Sequence, residues 1–300
     1  DSHISKLKKT DLVSELKEAV TYFQSPVGGL GTLSLFNLMK EIKKNNINVI
    51  LSGEGADEIF AGYKYYFYAL LLDLKYKNEY DKIKNELKFW KSLTGEDLSN
   101  VITNDKILSE MAFGMKAPDG TSLKSFNFEG DLLKGASDDT NLNMKNDKDN
   151  NLMNLRYEDI FVKKLPKLLM FQDRCSMFSS IESRVPFLDH NLVEKIFILD
   201  PSCLIQNAEL KNLLRVDIQK FKFNKINKNQ KEFVATPQRE WLKKDLFKEI
   251  FSEIMDSNLD RSGLINLKSF ELEYKKYSQS SELGNSFFVW KLLNLKFMFS

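Results

Sequence analysis

A short β-branched run, Ile47-Asn48-Val49-Ile50-Leu51, passes without a break into Ser52-Gly53-Glu54-Gly55-Ala56-Asp57-Glu58. No other segment constrains the fold as tightly. An apolar run of this length reads as a buried strand. The glycines then demand a tight turn, and a new helix is expected from about Asp57. Upstream, residues 10–23 place Leu12, Val13, Leu16, Ala19, Val20 and Phe23 at helical spacing, with Thr10 or Asp11 as N-cap. Ser25-Pro26-Val27-Gly28-Gly29 breaks that helix. Residues 32–44 form a second one, carrying Leu35, Phe36, Met39 and Ile42. Helix, turn, strand and helix is the rhythm of an α/β sheet.

After about residue 70 the pattern offers no second strand. Helices are expected over 77–93, 156–165, 167–180, 192–199, 210–221, 238–255 and 283–299, with aromatic residues at core-like spacing. The chain therefore divides on paper into an α/β part, 1–75, and a mainly helical part, 76–300. Residues 137–154 are rich in Asn, Asp and Lys, as a mobile surface loop would be. Asp139-x-Asn141-x-Asn143 matches the opening of a calcium loop. However, Met144 stands where glycine is needed and Asn150 where a bidentate Glu is needed, so calcium is not expected there.

The charge balance removes several functions. Lys+Arg number 44 and Asp+Glu 42, a net charge of +2, so the basic excess of a nucleic-acid binder is missing. No run of 18 apolar residues marks a membrane-spanning helix. The two cysteines, Cys175 and Cys203, form no C-x-x-C pair. That usage fits a reducing, cytoplasmic setting, with Cys175 as a core residue. Only His3 and His190 are available, which is poor material for a Ser-His-Asp triad. His190 follows Asp189 at an expected helix start and reads as a capping-region residue.

Ligands of open α/β sheets bind where strands end at their carboxyl side. Ser52 supplies a hydroxyl there, glycines let backbone N–H groups approach an anion, and a helix N-terminus adds a positive field. Spacing alone also allows a simpler reading, in which Ser and Gly serve turn geometry and Asp57 and Glu58 complement a helix dipole. Three acids beside a phosphate make sense if Mg²⁺ lies between them, or if one acid acts on the reacting group.

The segment from Val49 to Tyr63, V-I-L-S-G-E-G-A-D-E-I-F-A-G-Y, resembles the second signature of the glutamine-dependent asparagine synthetases. Downstream, Leu165-Pro166-x-Leu168-Leu169, Asp173-Arg174-Cys175-Ser176-Met177 and Glu182-Ser183-Arg184-Val185-Pro186-Phe187-Leu188-Asp189 resemble that family's LPxLL, DRxSM and ExRVPFLD block. Lys211-Asn212-Leu213-Leu214-Arg215 is similar to KxxLR. Phe233-Val234-Ala235-Thr236-Pro237, followed by Trp241-Leu242, is similar to GFxxPxxxWL. The matches keep the family's order over most of 20–245.

The resemblance implies an adenine-nucleotide alpha-hydrolase-like (ATP-pyrophosphatase) α/β layer, incomplete here, followed by a mainly helical lobe. It implies ATP and Mg²⁺ as cofactors, with aspartate and ammonia from glutamine as substrates. It also implies an N-terminal glutaminase region as partner, and a homodimer is compatible with it. Ser52 and Gly53 match positions that hold the AMP part of ATP. Glu54 matches the carboxylate needed to form and use a β-aspartyl-AMP intermediate. Asp57 matches an acid near pyrophosphate and the metal, and Tyr63 and Lys211 match positions lining that site. A lysine suits the negative charge of departing pyrophosphate. Arg184, by contrast, reads as a structural ion-pair residue.

Three departures stand against the pattern. Neither a cysteine near the start nor an S-G-G-x-D-S pyrophosphate loop is present, and Glu232 replaces the glycine of GFxxP. The expectation is a synthetase domain lacking its pyrophosphate loop and inactive alone. Two alternatives stay open: the same scaffold amidating or cyclising another acid, and a non-catalytic relic of the fold.

Overall fold

The computed structural model describes residues 3–113, 150–220, 236–257, 259, 266–281 and 286–299. Helix α1, Leu12–Phe23, buries Leu12, Leu16, Ala19, Val20 and Phe23. It stops where Gln24 turns left-handed and its N–H closes on the Val20 carbonyl. Helix α2, Leu30–Lys44, buries Leu30, Leu33, Phe36 and Met39 and ends with Lys43 and Lys44 near its negative pole. Lys40 ties the two helices together, its Nζ 2.7 Å from both Glu15 and Glu18.

Strand β1, Val49–Leu51, is shorter and more open than the sequence suggested. Only Ile50 packs against the core, while Val49 and Leu51 are 44% and 74% exposed. The expected buried strand over 47–51 is corrected to a three-residue strand with two exposed side chains. The expected helix from Asp57 is corrected too. It is a single turn, α3, Ala56–Ile59, and the longer α4, Lys64–Tyr76, starts only after Tyr63. In α4 every residue from Tyr66 to Leu74 is buried, so this helix is a core rod rather than an amphipathic surface helix.

Helices α5, Tyr80–Thr94, and α6, Asp105–Phe113, pack on α4. Phe67 and Trp90 stack at 4.2 Å between ring centroids. Helix α7, Asn151–Glu158, continues through a π turn, Asp159–Lys163, into α8, Leu165–Phe178, with Pro166 in its first turn. Asp73, buried on α4, accepts from the Asn151 and Leu152 N–H groups at 2.6 and 3.0 Å and so caps α7 from a distance. The part of the expected loop up to 149, with most of its calcium-like pattern, lies outside the described residues, as do Phe233-Val234-Ala235.

Strand β2, Glu182–Arg184, corrects the reading that no strand follows residue 70. It pairs in parallel with β1 through Val49↔Glu182, Ile50↔Ser183 and Leu51↔Arg184. After a 3₁₀ turn, Pro186–Leu188, comes α9, His190–Ile198, capped by the Asp189 carboxylate, which accepts from Asn191 and Leu192. The remaining helices are α10, Asn212–Lys220, α11, Gln238–Glu240, α12, Phe247–Met255, α13, Leu267–Gln279, and α14, Phe287–Met298. A π turn, Trp241–Asp245, divides the stretch expected as one helix over 238–255. The described chain is thus mostly helical with a small parallel sheet, and no described helix is long and apolar enough to cross a membrane.

Two apolar cores organise these elements. One joins α1 and α2 to α8 and the helices from α12 to α14. The other gathers α4 to α7 with residues from α3, α9 and the approach to α10. The clusters therefore run across the 75/76 division. Each buried Leu or Phe contributes about 1.5–3 kcal/mol of transfer free energy. Helix α8 serves both cores, through Cys175 and Phe171 on one side and Leu165 and Leu169 on the other. Buried polar groups secure the first core across the whole length of the chain. Val27 N–H donates to Asn294 Oδ1 at 2.7 Å, Trp290 Nε1–H to the Val27 carbonyl at 2.8 Å, and Leu30 N–H to Gln238 Oε1 at 2.7 Å.

Candidate active site

The turn after β1 lies at the seam of the two cores, Ile50 packing into one and Ile59 and Phe60 into the other. Ser52 ends the sheet, its N–H donating to the Arg184 carbonyl at 2.8 Å, and its Oγ accepts from Glu54 N–H at 3.3 Å. Gly53 is exposed, with open space where a Cβ would stand. Gly55 has a different duty. Its φ is +87°, and a Cβ there would fall 2.2 Å from Leu188 Cδ2. This glycine lets the turn pack on the segment after β2; it does not face a ligand.

Asp57 and Lys211, far apart in sequence, form an ion pair at 2.8 Å, each with just over a quarter of its side chain exposed. Gly62 makes room for the pair. Its N–H donates to the Asp57 carbonyl at 2.7 Å, and a Cβ there would sit 2.0 Å from Asp57 Oδ1 and 2.3 Å from Lys211 Cε. Any side chain at position 62 would push carboxylate and ammonium apart. Lys211 has φ +56°, a left-handed conformation that costs a non-glycine residue roughly 1–2 kcal/mol. Arg215, the last residue of the KxxLR pattern, turns back and donates to the Leu210 carbonyl at 3.0 Å.

Glu54 is half-buried, and burial pushes its carboxyl above the usual range, helped by the charges of Glu58 and Asp57. Glu58, at 1% exposure, faces inward and accepts from the Tyr63 hydroxyl at 2.7 Å. Tyr63 is thereby turned toward the interior. Burial first, then Glu58, lift its pKa well above the tyrosine range. Its ring stacks on Tyr65 at 5.2 Å, and Lys164 Nζ lies 3.2 Å from its centroid. Arg156, fully buried, holds the single turn α3 from behind, donating to the Ile59 and Glu58 carbonyls at 2.7 and 3.3 Å. Burial brings its pKa down to about 10.

The structure thus brings Asp57, Gly62 and Lys211 into contact, sets Glu54 within electrostatic reach of Asp57, and joins Tyr63 to the cluster through Glu58. Ser52 and Gly53 lie at the mouth of the same turn. With α3 only one turn long, the helix-terminus field expected here is small, and Lys211 provides the positive charge. Among the described residues no group of three or more His, Cys, Asp or Glu side chains gathers around a metal position. The Asp57 carboxylate is the group here that could hold Mg²⁺ carried in on phosphates, since that ion takes one or two carboxylates plus substrate oxygens, and Lys211 could face those phosphates.

Residues outside the cluster settle into structural roles. Arg184 pairs with Glu182 on the exposed face of β2 at 2.7 Å. Arg174 hydrogen-bonds Ser25 Oγ, and Cys175 is fully buried. Spacing offers Glu58 only as an acid at a helix start, not as the partner of Tyr63, and it does not single out Arg156 or Lys164. Their one sequence signal is a charge among apolar residues, as in Leu152, Leu155 and Arg156.

The family model described as asparagine synthase matches residues 1–299. The chain belongs to the asparagine synthase family. It is 24% identical over 301 residues to "Asparagine synthetase [glutamine-hydrolyzing] 1" of Bacillus subtilis (strain 168), covering 97% of this chain and 46% of that protein. It is 29% identical over 220 residues to "Asparagine synthetase [glutamine-hydrolyzing] 3" of the same organism, covering 71% of this chain and 30% of that protein. "Amidase chyE" of Penicillium rubens is 22% identical over 314 residues, covering 95% and 46%. The chain spans less than half the length of these relatives. No solved structure matches it.

Proposed function

We propose that this chain is the synthetase portion of an ATP-dependent, AMP-forming amide ligase. Aspartate is the acid, and ammonia comes from glutamine hydrolysed in a separate glutaminase region. The observation that carries the reading is the Asp57–Lys211 pair beside Glu54 at the carboxyl end of β1. MgATP, when bound, would supply an adenylyl group: its transfer to the carboxylate oxygen, with release of pyrophosphate, would make that carboxylate an acyl donor. Ser52 and Gly53 receive the nucleotide at the strand end, within an ATP-pyrophosphatase layer. Asp57 would hold the Mg²⁺ that accompanies the phosphates, and Lys211, paired with Asp57 at 2.8 Å, would face those phosphates and steady the charge leaving with pyrophosphate. Tyr63 lines this site by its ring, its hydroxyl holding Glu58. Glu54, whose raised pKa makes it a better base than an ordinary carboxylate, orients ammonia and takes its proton.

The test is pyrophosphate release from MgATP with ammonia and a panel of carboxylic acids. It is run on the chain alone and on the chain fused behind a segment bearing an S-G-G-x-D-S loop. The expected result is aspartate-dependent release from the fusion, its loss in Glu54→Gln, and none from the chain alone. Undiminished release from the Glu54→Gln fusion removes the catalytic role of Glu54. Release with a different acid supports the second reading, the same scaffold serving another carboxylate. The likeness to "Amidase chyE" is compatible with that reading without preferring it to aspartate.

A further inference from the structure

Lys211 reaches Asp57 from a strained loop. Gln206 and Glu209 form an isolated antiparallel bridge, with Gln206 N–H to the Glu209 carbonyl at 3.4 Å and Glu209 N–H to the Gln206 carbonyl at 3.0 Å. The two residues between them, Asn207 and Ala208, have φ of +52° and +57°. Positive φ at both central positions defines a type I′ turn, which favours Asn-Gly and penalises a Cβ at the second position. This chain has alanine there. Three residues later Lys211 is left-handed again, at φ +56°.

A carboxylate from a distant helix holds this conformation. Glu86, on α5 and 8% exposed, accepts from Asn207 N–H at 3.0 Å with Oε1 and from Ala208 N–H at 2.6 Å with Oε2. Successive N–H groups of a left-handed turn converge on an anion, and the two carboxylate oxygens fill that nest. The bonds are charge-assisted and enclosed, the setting in which they are strongest. From the turn the chain runs through Leu210, packed in the second core, to Lys211. Asn212 N–H then returns to the Leu204 carbonyl at 3.0 Å, which fixes the far side of the loop.

We propose that Glu86 is a positioning residue for the candidate active site: by occupying the nest of the Asn207–Ala208 turn it sets the backbone that places Lys211 against Asp57. The claim concerns Lys211 geometry. It rests on the proposed ligase reading only for its expected consequence, tighter binding of MgATP.

The experiment measures competitive acylation of lysines in the folded 1–300 chain, read residue by residue by mass spectrometry, beside MgATP binding by calorimetry. In Glu86→Gln, which keeps the volume but loses the charge, Lys211 should label about tenfold faster, the scale of one charge-assisted hydrogen bond. Exposed Lys84 on the same helix should be unchanged. Asp57→Asn should raise Lys211 labelling similarly, and the double variant should add little. Ala208→Gly removes the strain that Glu86 offsets, so Glu86→Gln in that background should label Lys211 close to the parent rate. That second background also serves if the single variant fails to fold. Where the parent binds MgATP, Glu86→Gln should weaken it about tenfold, but not in a Lys211→Ala background, where the residue being positioned is gone. Unchanged Lys211 labelling in folded Glu86→Gln, or equal acceleration at Lys84 and Lys211, overturns the proposal. Faster labelling of Lys211 alone, in a parent that does not bind MgATP, upholds the positioning role, and MgATP binding by the loop-bearing fusion then decides the nucleotide reading.

Discussion

Glu54 sits where its charge is unwelcome, and the sign of that effect is testable. Burial, with Glu58 and Asp57 nearby, raises its pKa. The folded state therefore holds this proton more tightly than the unfolded chain. The group costs nothing below the ordinary carboxylate pKa, and it subtracts stability as pH rises from there through the raised value. Glu54→Gln should melt like the parent near pH ~4 and above it near pH ~7, on the usual carboxylate scale. The same change should cost roughly 10²–10⁴-fold in amide synthesis. A melting difference independent of pH would refute the first half. Arg156→Met keeps the apolar stem but leaves the Ile59 and Glu58 carbonyls without their buried donor. A loss of about 1–3 kcal/mol is expected in denaturant unfolding, the cost of orphaned buried acceptors. The Ser52 to Asp57 turn was legible in sequence because strand, glycines and acids coincide there. Arg156 was not, because it serves main-chain carbonyls that no side-chain pattern announces.

At the scale of elements, the long amphipathic helices α1, α2 and α5 could be read within a few residues, since their burial follows 3.6-residue spacing, and α14 from its long apolar run. Strand β2 could not. Glu182-Ser183-Arg184 has no apolar residue, and its extended form comes from pairing with β1 rather than from propensity. Helix α13 was overlooked although Leu267, Phe270, Tyr274 and Tyr277 lie on one buried face. The pairing of Asp57 with Lys211 depends on tertiary structure, and it was the family pattern that pointed to both residues. Helix α7 begins with help from outside itself. Asp73→Ala removes its distant cap and should cost about 0.5–2 kcal/mol, the range for losing an N-cap. Hydrogen exchange at the Asn151 and Leu152 amides is the direct measurement, and both should exchange faster. Unchanged protection would show that Asn150 suffices to start the helix.

At the scale of the molecule, β1 is the exposed weak point. Among the described residues it has β2 on one edge and no strand on the other, and Ile47, Val49 and Leu51 are exposed. An open strand edge with apolar side chains is a template for self-association. Leu51→Lys should lower the apparent mass in light scattering at high concentration while leaving the melting temperature nearly unchanged. If scattering is the same, association runs through another surface. The two cores were hidden from the sequence because periodicity shows which face of a helix is buried but not against what. The first core has a further consequence, for the chain while it is being made. Helices α1 and α2 complete their packing against α12, α13 and α14, and Val27 waits for Asn294. At about 5–20 residues per second, a ribosome spends roughly 10–50 s between delivering one set and the other. Throughout that interval α1 and α2 can lean on each other and later on α8, with part of their apolar faces bare to whatever chaperone stands at the exit. The second core closes in the meantime from its own consecutive stretch, so of the two cores the one begun earlier is finished later.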